Sequence, residues 1–243
     1  MYTKESLVLG IDGGGTKTRL IIADINGHVM GDIITSGVDF VQIGQDGIKS
    51  LITEKVQEML KPIDRTIHEI ASVCIGIPRI GESPAWDREC PELMQTIFPE
   101  SKIYCFNDVQ VGLYGSLCLE PGIHLISGTG SIAMGMNRDG LTHRSGGWNE
   151  HFSDEGSGYK LGLKTWEIFS KQIDGRLPKT ILFDLMLKKT GLDNPVECIA
   201  YFETSLTSKR DEIATYQLLL EQAARAGDGA SISAYREAAV EFS

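Results

Sequence analysis

The most regular pattern of apolar and polar positions lies at the start of the chain. Residues 7–9 and 20–23 are short apolar runs, rich in branched side chains and bounded by turn-forming residues, which is the pattern of buried strands. A third run follows at residues 28–35, and Asn26-Gly27 before it is a typical hairpin turn. The pattern therefore predicts that the chain opens with three antiparallel strands.

The same succession of strand, glycine turn, strand, turn and strand occurs a second time. Predicted strands at 123–126 and 132–136 flank a second glycine turn, and Asp139-Gly140 is the turn signal after them. The offset between the two copies is 113 residues. Because internal repeats define architecture, the sequence predicts two similar α/β domains, residues 1–121 and 122–243.

Helical and strand patterns alternate after each set of opening strands, which indicates an α/β fold. The first half predicts helices at 48–60, 93–98 and 109–119, strands at 73–77 and 103–106, and an irregular polar segment at 81–91. The second half predicts helices at 159–173, 181–189, 196–202, 211–225 and 232–242.

The first glycine turn, residues 12–18 (DGGGTKT), has the composition of a phosphate-binding loop. Glycine lets a phosphate approach backbone N–H groups, the threonines add hydroxyl donors, Lys17 adds positive charge, and Asp12 can hold Mg²⁺. Two commoner phosphate loops do not fit. A Walker loop needs Lys directly after the last glycine, and the dinucleotide fingerprint needs a glycine where Thr18 stands. A plain glycine-rich hairpin is the structural alternative.

Length and charge limit the partners. The chain has 243 residues and a formal net charge of −10, which argues against a nucleic-acid backbone as partner. ATP remains compatible, because a local glycine loop and Mg²⁺ can neutralise its charge. The N-terminus lacks the apolar core of a signal peptide, and no apolar run reaches the roughly 18 residues of a membrane span. We therefore expect a cytoplasmic protein without a membrane or nucleic-acid partner.

Cysteine usage agrees with a reducing compartment. The count is odd, and no two cysteines have the CxxC spacing of a redox or metal motif. Several lie in or beside apolar runs, where buried free thiols are common. We expect structural thiols at Cys74, Cys90, Cys105, Cys118 and Cys198.

Six short motifs occur in an order that resembles a known family. They are DGGGTKT at 12–18, FND at 106–108, SGTGS at 127–131, GGW at 146–148, DEGS at 154–157 and AGD at 226–228. Together they resemble the BadF/BadG/BcrA/BcrD ATPase family, and within it the N-acetylglucosamine kinases, which belong to the actin-like sugar kinase and heat-shock ATPase superfamily. The resemblance implies an α/β fold of two actin-like, ribonuclease H-like ATPase domains with a cleft between them.

The resemblance also implies where ligands bind. ATP and Mg²⁺ would be held by the two glycine turns and the AGD segment, with the metal near Asp12. The implied cofactor-binding residues are Asp12, Gly13, Gly14, Gly15, Thr16, Lys17, Thr18, Gly128, Thr129, Gly130, Ser131 and Gly227. The implied sugar-binding residues are Asp39, Asp108, Gly146, Gly147, Trp148 and Asp154. A tryptophan beside two glycines in a loop is also expected to line a pocket.

Asp108 is the candidate catalytic base, because it follows a predicted strand, where α/β proteins place such groups. In phosphoryl transfer the acceptor hydroxyl loses a proton, and a neighbouring carboxylate can take it. The structural alternative is that Asp108 caps the helix that follows, a frequent role of aspartate. The structural alternative for Asp154 is likewise that it caps the helix that follows it.

Two features depart from the family pattern. Asp39 stands where the sugar kinases have a substrate-binding asparagine, and the loop PRIGES after Ile77 differs from the small-residue loop expected there. Family members also continue past Ser243, so we expect a truncated or shortened form.

The sequence therefore predicts an ATP-dependent kinase that phosphorylates a hexosamine, N-acetylglucosamine or glucosamine, at a hydroxyl deprotonated by Asp108. Two other functions stay open. One is an ATPase activator of a radical dehydratase or reductase, which would need cysteines at a dimer interface; Cys118 and Cys198 are the late candidates. The other is a sugar-binding form without catalysis. A homodimer is left open as well.

Overall fold

The chain divides into two compact units, residues 1–120 (unit 1) and residues 121–243 (unit 2). The structure is a computed structural model, and it describes residues 6–14, 17–38 and 40–243.

Unit 1 is built on a five-stranded sheet. Its strands are β1 (Leu7–Gly13), β2 (Lys17–Asp24), β3 (Val29–Ser36), β4 (Ile70–Gly76) and β5 (Lys102–Phe106). Their spatial order is β3-β2-β1-β4-β5. The pairs β1–β2 and β2–β3 are antiparallel, which confirms the predicted opening, whereas β4 runs parallel to β1 and β5 runs parallel to β4.

In the described part of unit 1, the α-helices that accompany this sheet are α1 (Phe40–Leu60), α2 (Pro84–Ile97) and α3 (Asp108–Leu117), and 3₁₀ turns lie at Lys61–Ile63 and Ile67–Glu69. Alternate residues of β1 face the core, as the period of a strand requires. One face of α1 is buried in the same cluster. The cluster is centred on Leu7, Leu9, Ile11, Ile48, Ile52 and Val56.

Helix α2 corrects the prediction that residues 81–91 are irregular and that only 93–98 are helical. The hydroxyl of Ser83 accepts a hydrogen bond from the N–H of Trp86, which caps the first turn. Buried residues of α2 recur at helical spacing, and the polar residues between them form its solvent face. Pro91 lies inside the helix. The prediction of an irregular segment was therefore wrong because it took the proline and the high polarity as evidence against a helix.

Unit 2 contains a three-stranded antiparallel sheet of β6 (Gly122–Ser127), β7 (Ser131–Met136) and β8 (Thr142–Ser145). The second predicted strand and turn succession is thus confirmed. The two hairpins are not identical. The one in unit 1 closes on the pair Gly13 and Thr18, whereas the one in unit 2 closes on Ser127 and Ser131 and has one residue fewer in its turn.

Helices form the rest of unit 2. They are α4 (Gly158–Ile173), α5 (Ile181–Thr190), α6 (Cys198–Ser205), α7 (Arg210–Thr215), α8 (Gln217–Arg225) and α9 (Gly229–Glu241), and a 3₁₀ turn at Pro195–Glu197 precedes α6. None of the helices in the described part of the chain is long and apolar enough to cross a membrane.

The single helix predicted at 211–225 is two helices that meet at Tyr216. The N–H of Tyr216 donates to the carbonyl oxygen of Ile213, a bond that tightens the chain locally. The side chain of Tyr216 is almost fully buried. Its ring centroid lies 5.0 Å from that of Trp166 on α4, and its hydroxyl oxygen lies 3.2 Å from the hydroxyl oxygen of Tyr201 on α6. The interruption therefore lies at a residue whose side chain packs among aromatic rings of the core.

Candidate active site

The carboxyl ends of β1, β4 and β5 meet at one edge of the unit 1 sheet. Asp12 on β1 pairs in register with Gly76 on β4, and Gly76 pairs with Phe106 on β5. Because these strands are parallel, the residues that follow them lie at the same edge. Asp108 is two residues beyond Phe106 and therefore lies on the same side as Asp12.

Helix α3 packs closely on this edge because glycine leaves room for it. A Cβ atom at Gly76 would lie 2.8 Å from Cγ2 of Val111 and 3.3 Å from Cα of Asp108. A Cβ atom at Gly13 would lie 2.9 Å from the carbonyl oxygen of Gly76 and 2.5 Å from Cγ2 of Val38. Larger residues at either position would force the strand ends and the start of α3 apart.

The cap of α3 is Asn107 and not Asp108. The side-chain oxygen of Asn107 accepts a hydrogen bond of 3.0 Å from the N–H of Val109, and its amide donates to the carbonyl oxygen of Ile80 at 3.1 Å. Asp108 is the first residue of the helix. The capping role that the sequence left open for Asp108 is thus filled by its neighbour.

Asp108 has an electrostatic environment suited to proton transfer. Burial raises the pKa of its carboxyl group above the ordinary value. Hydrogen bonds from backbone N–H groups at the start of α3 oppose this increase in pKa, and the negative charges of Asp12 and Glu82 add to it. A carboxylate that the fold makes more basic is a better proton acceptor near neutral pH.

The first glycine turn closes between Gly14 and Lys17. The N–H of Gly14 donates to the carbonyl oxygen of Lys17 at 2.9 Å, and the N–H of Val38 donates to the carbonyl oxygen of Gly14 at 3.1 Å. Neighbouring strand residues face opposite sides, so Lys17 is exposed while Thr18 is buried. The Thr18 hydroxyl has no hydrogen-bond partner among the residues that the structure describes.

Three of the predicted site residues, Gly15, Thr16 and Asp39, lie outside the described residues. Their predicted roles at the nucleotide and at the sugar stay predictions.

The second glycine turn is joined to the start of α4. The N–H of Gly158 donates to the carbonyl oxygen of Gly128 at 2.8 Å, and the N–H of Tyr159 donates to that of Thr129 at 3.0 Å. A cavity of about 560 Å³ adjoins the turn. It is lined by Ser127, Gly128 and Thr129 together with residues of α7, α8 and α9. Its volume is that of a small-molecule site.

The loop at residues 146–157 begins with a tightly organised segment. Gly146 and Gly147 have φ values of +72° and +69°, which favour glycine. Arg144 on β8 donates from Nε to the carbonyl oxygen of Gly146 at 3.0 Å and from Nη2 to that of Gly147. Its guanidinium carbon lies 4.2 Å from the ring centroid of Trp148, which is 62% exposed. Arg144 thus supports both the backbone and the indole.

Asp154, near the end of this loop, does not cap α4; Ser157 does, by accepting a hydrogen bond of 3.2 Å from the N–H of Lys160. Asp154 is buried and has a left-handed φ of +66°. Its carboxylate accepts hydrogen bonds from the N–H of Ser131, at 3.4 Å, and from Arg210 on α7. The predicted sugar residue therefore lies beside the second glycine turn.

Gly227 has a structural role that the motif did not indicate. Its φ is +91°, so it forms the left-handed turn between α8 and α9. The adjacent Asp228 caps α9 by accepting a hydrogen bond of 2.9 Å from the N–H of Ser231. A contact between Gly227 and the nucleotide stays a prediction.

The structure thus places the predicted residues in two groups. In unit 1 it places Asp12 and Asp108 at the same edge of the sheet, and in unit 2 it brings Asp154 to the second glycine turn. Sequence reasoning missed Glu82, Arg144 and Arg210. Single charged residues outside a motif have no distinctive pattern, so only their contacts identify them.

A family model matches nearly the whole chain. The model of the BadF/BadG/BcrA/BcrD ATPase family matches residues 9–241. The chain belongs to this family. Membership confirms the resemblance inferred from the six motifs.

Curated members of the family align with this chain along most of its length. An N-acetylmuramic acid/N-acetylglucosamine kinase of Clostridium acetobutylicum is 33% identical over 97% of this chain and 76% of its own. An N-acetyl-D-glucosamine kinase of Dictyostelium discoideum is 30% identical over 92% of this chain and 73% of its own. The chain spans about three quarters of the length of each relative.

A solved structure supports the same fold. A candidate N-acetylglucosamine kinase from Chromobacterium violaceum superposes with a TM-score of 0.70 at 21% identity, over 97% of this chain and 80% of its own. The predicted fold class, an α/β protein of two units with the actin-like fold, is confirmed. The cleft between the two domains stays a prediction.

We expect Asp108→Asn to stabilise the protein at neutral pH. A raised carboxyl pKa means that the fold favours the protonated group, so the stabilisation is present below the unfolded pKa of about 3.9 and is lost as pH rises through the folded pKa. Asparagine removes the half-buried negative charge, so the melting temperature should rise at pH 7 and the gain should shrink toward pH 4. Thermal unfolding across this range tests the prediction.

The matched control for this measurement is Asp184→Asn, which also removes an aspartate from the first turn of a helix but at an exposed position. A melting temperature of Asp108→Asn at or below that of the wild type at pH 7 would contradict the prediction.

We expect Arg144→Met to loosen the start of the 146–157 loop. Methionine keeps the apolar stem but removes the donors to two carbonyl groups and the cation over Trp148, so unfolding should become easier by about 1–3 kcal/mol. The fluorescence anisotropy of Trp148 should therefore be lower in Arg144→Met than in the wild type. The signal of Trp148 is obtained by comparing each protein with the same protein carrying Trp148→Phe. Arg144→Lys should restore part of the loss, and unchanged anisotropy in Arg144→Met would show that Trp148 is held by other contacts.

Proposed function

We propose that this chain is an ATP-dependent kinase that transfers the γ-phosphoryl group to a hydroxyl of a hexosamine, with N-acetylglucosamine as the first substrate to test. The observation that carries the proposal is the half-buried Asp108, which has a raised pKa and lies at the carboxyl edge near Asp12. The names of both curated relatives include an N-acetylglucosamine kinase, which supports the substrate class.

Asp108 would act as the general base. The acceptor oxygen attacks the γ-phosphorus of ATP, its proton passes to the carboxylate of Asp108, and the bond from the γ-phosphorus to the leaving oxygen of ADP breaks. Because burial makes the carboxylate more basic, it accepts the proton more readily than an exposed aspartate would.

Asp12 would hold Mg²⁺. Asp12 is exposed at the carboxyl edge, and a bound cation would relieve the repulsion between Asp12 and Asp108. When bound, the metal would neutralise charge on the transferred phosphoryl group. Asp12 would thus hold the metal at the edge where Asp108 would receive the proton.

The nucleotide would lie along the second glycine turn. Thr129 and Gly130 would provide hydroxyl and backbone donors for its phosphates. Gly128 and Ser131 would shape the turn, because their own donors already bond to Gly130, Asp154 and Glu155. The adjoining cavity of about 560 Å³ has room for the remaining parts of the nucleotide. In unit 1, Gly13, Gly14 and the exposed Lys17 would contact the phosphates, as the family resemblance implies; Thr18 is buried and would act through packing.

The sugar would bind along the 146–157 loop. The exposed indole of Trp148 offers an apolar face for a pyranose ring, and Asp154 offers a carboxylate acceptor for its hydroxyl groups. Gly146 and Gly147 let the backbone turn tightly before Trp148. A cytoplasmic location and a homodimer stay predictions.

Sugar-dependent release of ADP from ATP tests the kinase directly. A coupled assay across a hexosamine panel should show turnover with N-acetylglucosamine or a close relative of it. Asp108→Asn should then lower kcat by about 10²–10⁴-fold with KM little changed, because the amide can hydrogen-bond the sugar but cannot accept its proton. In the wild type, kcat should fall as pH decreases through the raised pKa of Asp108.

Asp184→Asn is again the matched control and should keep the wild-type kcat. A kcat of Asp108→Asn within about threefold of the wild type would reject the catalytic assignment, since general base catalysis contributes far more. ADP release that does not depend on any sugar would favour the ATPase activator instead.

Thr129→Val tests the phosphate-binding role of the second glycine turn. Valine keeps the size of the side chain but removes its hydroxyl donor, and a hydrogen bond to a charged group is worth about 1.5–3 kcal/mol. Affinity for ATP should therefore fall by roughly tenfold or more in titration calorimetry. Thr142→Val, on the exposed strand β8, is the control. Equal ATP affinity of Thr129→Val and the wild type would remove Thr129 from the site.

A further inference from the structure

Arg210 is a charged residue that belongs to none of the six motifs. It begins α7, and its Nη2 donates to Oδ2 of Asp154. The two side chains differ in accessibility, because that of Arg210 is 38% exposed and that of Asp154 is 5% exposed. The arginine therefore reaches from the surface of unit 2 to a carboxylate in its interior.

The surroundings of Asp154 show what this contact maintains. Its left-handed backbone is uncommon for a residue with a side chain and persists when neighbouring contacts hold it. Those contacts come from the N–H of Ser131 and from Arg210. A Cβ atom at Gly130 would lie 3.0 and 3.3 Å from the two carboxylate oxygens. The absence of a side chain at Gly130 therefore leaves room for the ion pair of Arg210 and Asp154.

The charge around Arg210 argues against a direct role at a phosphate. Its Nη1 lies 3.9 Å from Oε2 of Glu150, and its Nη2 contacts Asp154. Two carboxylates thus surround one guanidinium, so the cluster has no excess of positive charge to attract an anion. The function of Arg210 lies in what it does to Asp154.

The geometry points to Arg210 as a positioning residue of the sugar site: it holds the Asp154 carboxylate against the second glycine turn in the orientation that accepts hydroxyl groups of the hexosamine. This inference rests on the proposed function, since it assigns Asp154 to the sugar. Arginine suits the role because its planar fork keeps one orientation, whereas the ammonium group of lysine does not.

A double-mutant cycle separates positioning from other roles. The variants are Arg210→Met, Asp154→Asn and the double variant, and the measurement is the dissociation constant for N-acetylglucosamine by titration calorimetry without nucleotide. Asparagine is chosen at 154 because it tolerates the left-handed backbone. Each single variant should weaken sugar binding by about tenfold or more. The double variant should lose no more than Asp154→Asn alone, because Arg210 acts through Asp154.

Further measurements exclude a merely structural effect. Arg210→Lys should recover part of the sugar affinity, and ATP affinity should change less than threefold in every variant. Arg176→Met, which breaks the exposed pair of Arg176 and Asp174, should leave sugar affinity unchanged. Thermal unfolding at ligand-free conditions identifies any variant that fails to fold, and Arg210→Lys then replaces Arg210→Met in the cycle.

Three results would overturn the inference. They are wild-type sugar affinity in Arg210→Met, independent and additive losses in the double variant, and a loss of ATP affinity as large as the loss of sugar affinity. Failure of the proposed function has a different signature. If the wild-type protein binds sugar without turnover, the kinase function is rejected, whereas the role of Arg210 in sugar binding can still be tested by the cycle. If the wild-type protein binds no hexosamine, both proposals are rejected.

Discussion

Close backbone packing at the carboxyl edge of the unit 1 sheet is the constraint on which the candidate base depends. β1, β4 and the start of α3 approach so closely that a Cβ atom at Gly13 or Gly76 would overlap its neighbours. Asp12 and Asp108 lie at the ends of the elements that these glycines allow to meet. Without that approach the two carboxylates would be separated and Asp108 would lose much of the environment that raises its pKa.

The same approach makes the edge electrostatically unfavourable. Burial and the charges of Asp12 and Glu82 all oppose ionisation of Asp108, and among the residues that the structure describes, the backbone N–H groups at the start of α3 favour it. A structure selected for stability alone would not place carboxylates together in this way, and such arrangements are typical of functional sites. Glu82 lies in the loop PRIGES, so the segment that departs from the family pattern also contributes to the environment of the base.

In unit 2, two arginines organise the ends of the 146–157 loop. Arg144 satisfies the carbonyl groups of two left-handed glycines and lies over Trp148, and Arg210 holds Asp154. Loop residues lack a regular hydrogen-bond ladder, so side-chain donors must take its place. The predicted sugar residues are therefore placed by neighbours that the motifs do not include.

Apolar periodicity, glycine turns and short motifs are local signals, and they were enough to predict the two strand and turn successions, most helices, the family and the position of Asp108 after a strand. The same signals failed at α2, whose first half was predicted to be irregular because of its exposed polar residues and Pro91. They also predicted one helix where α7 and α8 are separated at Tyr216. Only the tertiary structure shows that Asn107 rather than Asp108 caps α3, and that Arg210 meets Asp154 across 56 positions of sequence. Those outcomes depend on which surfaces pack together, and no local pattern of residues records that.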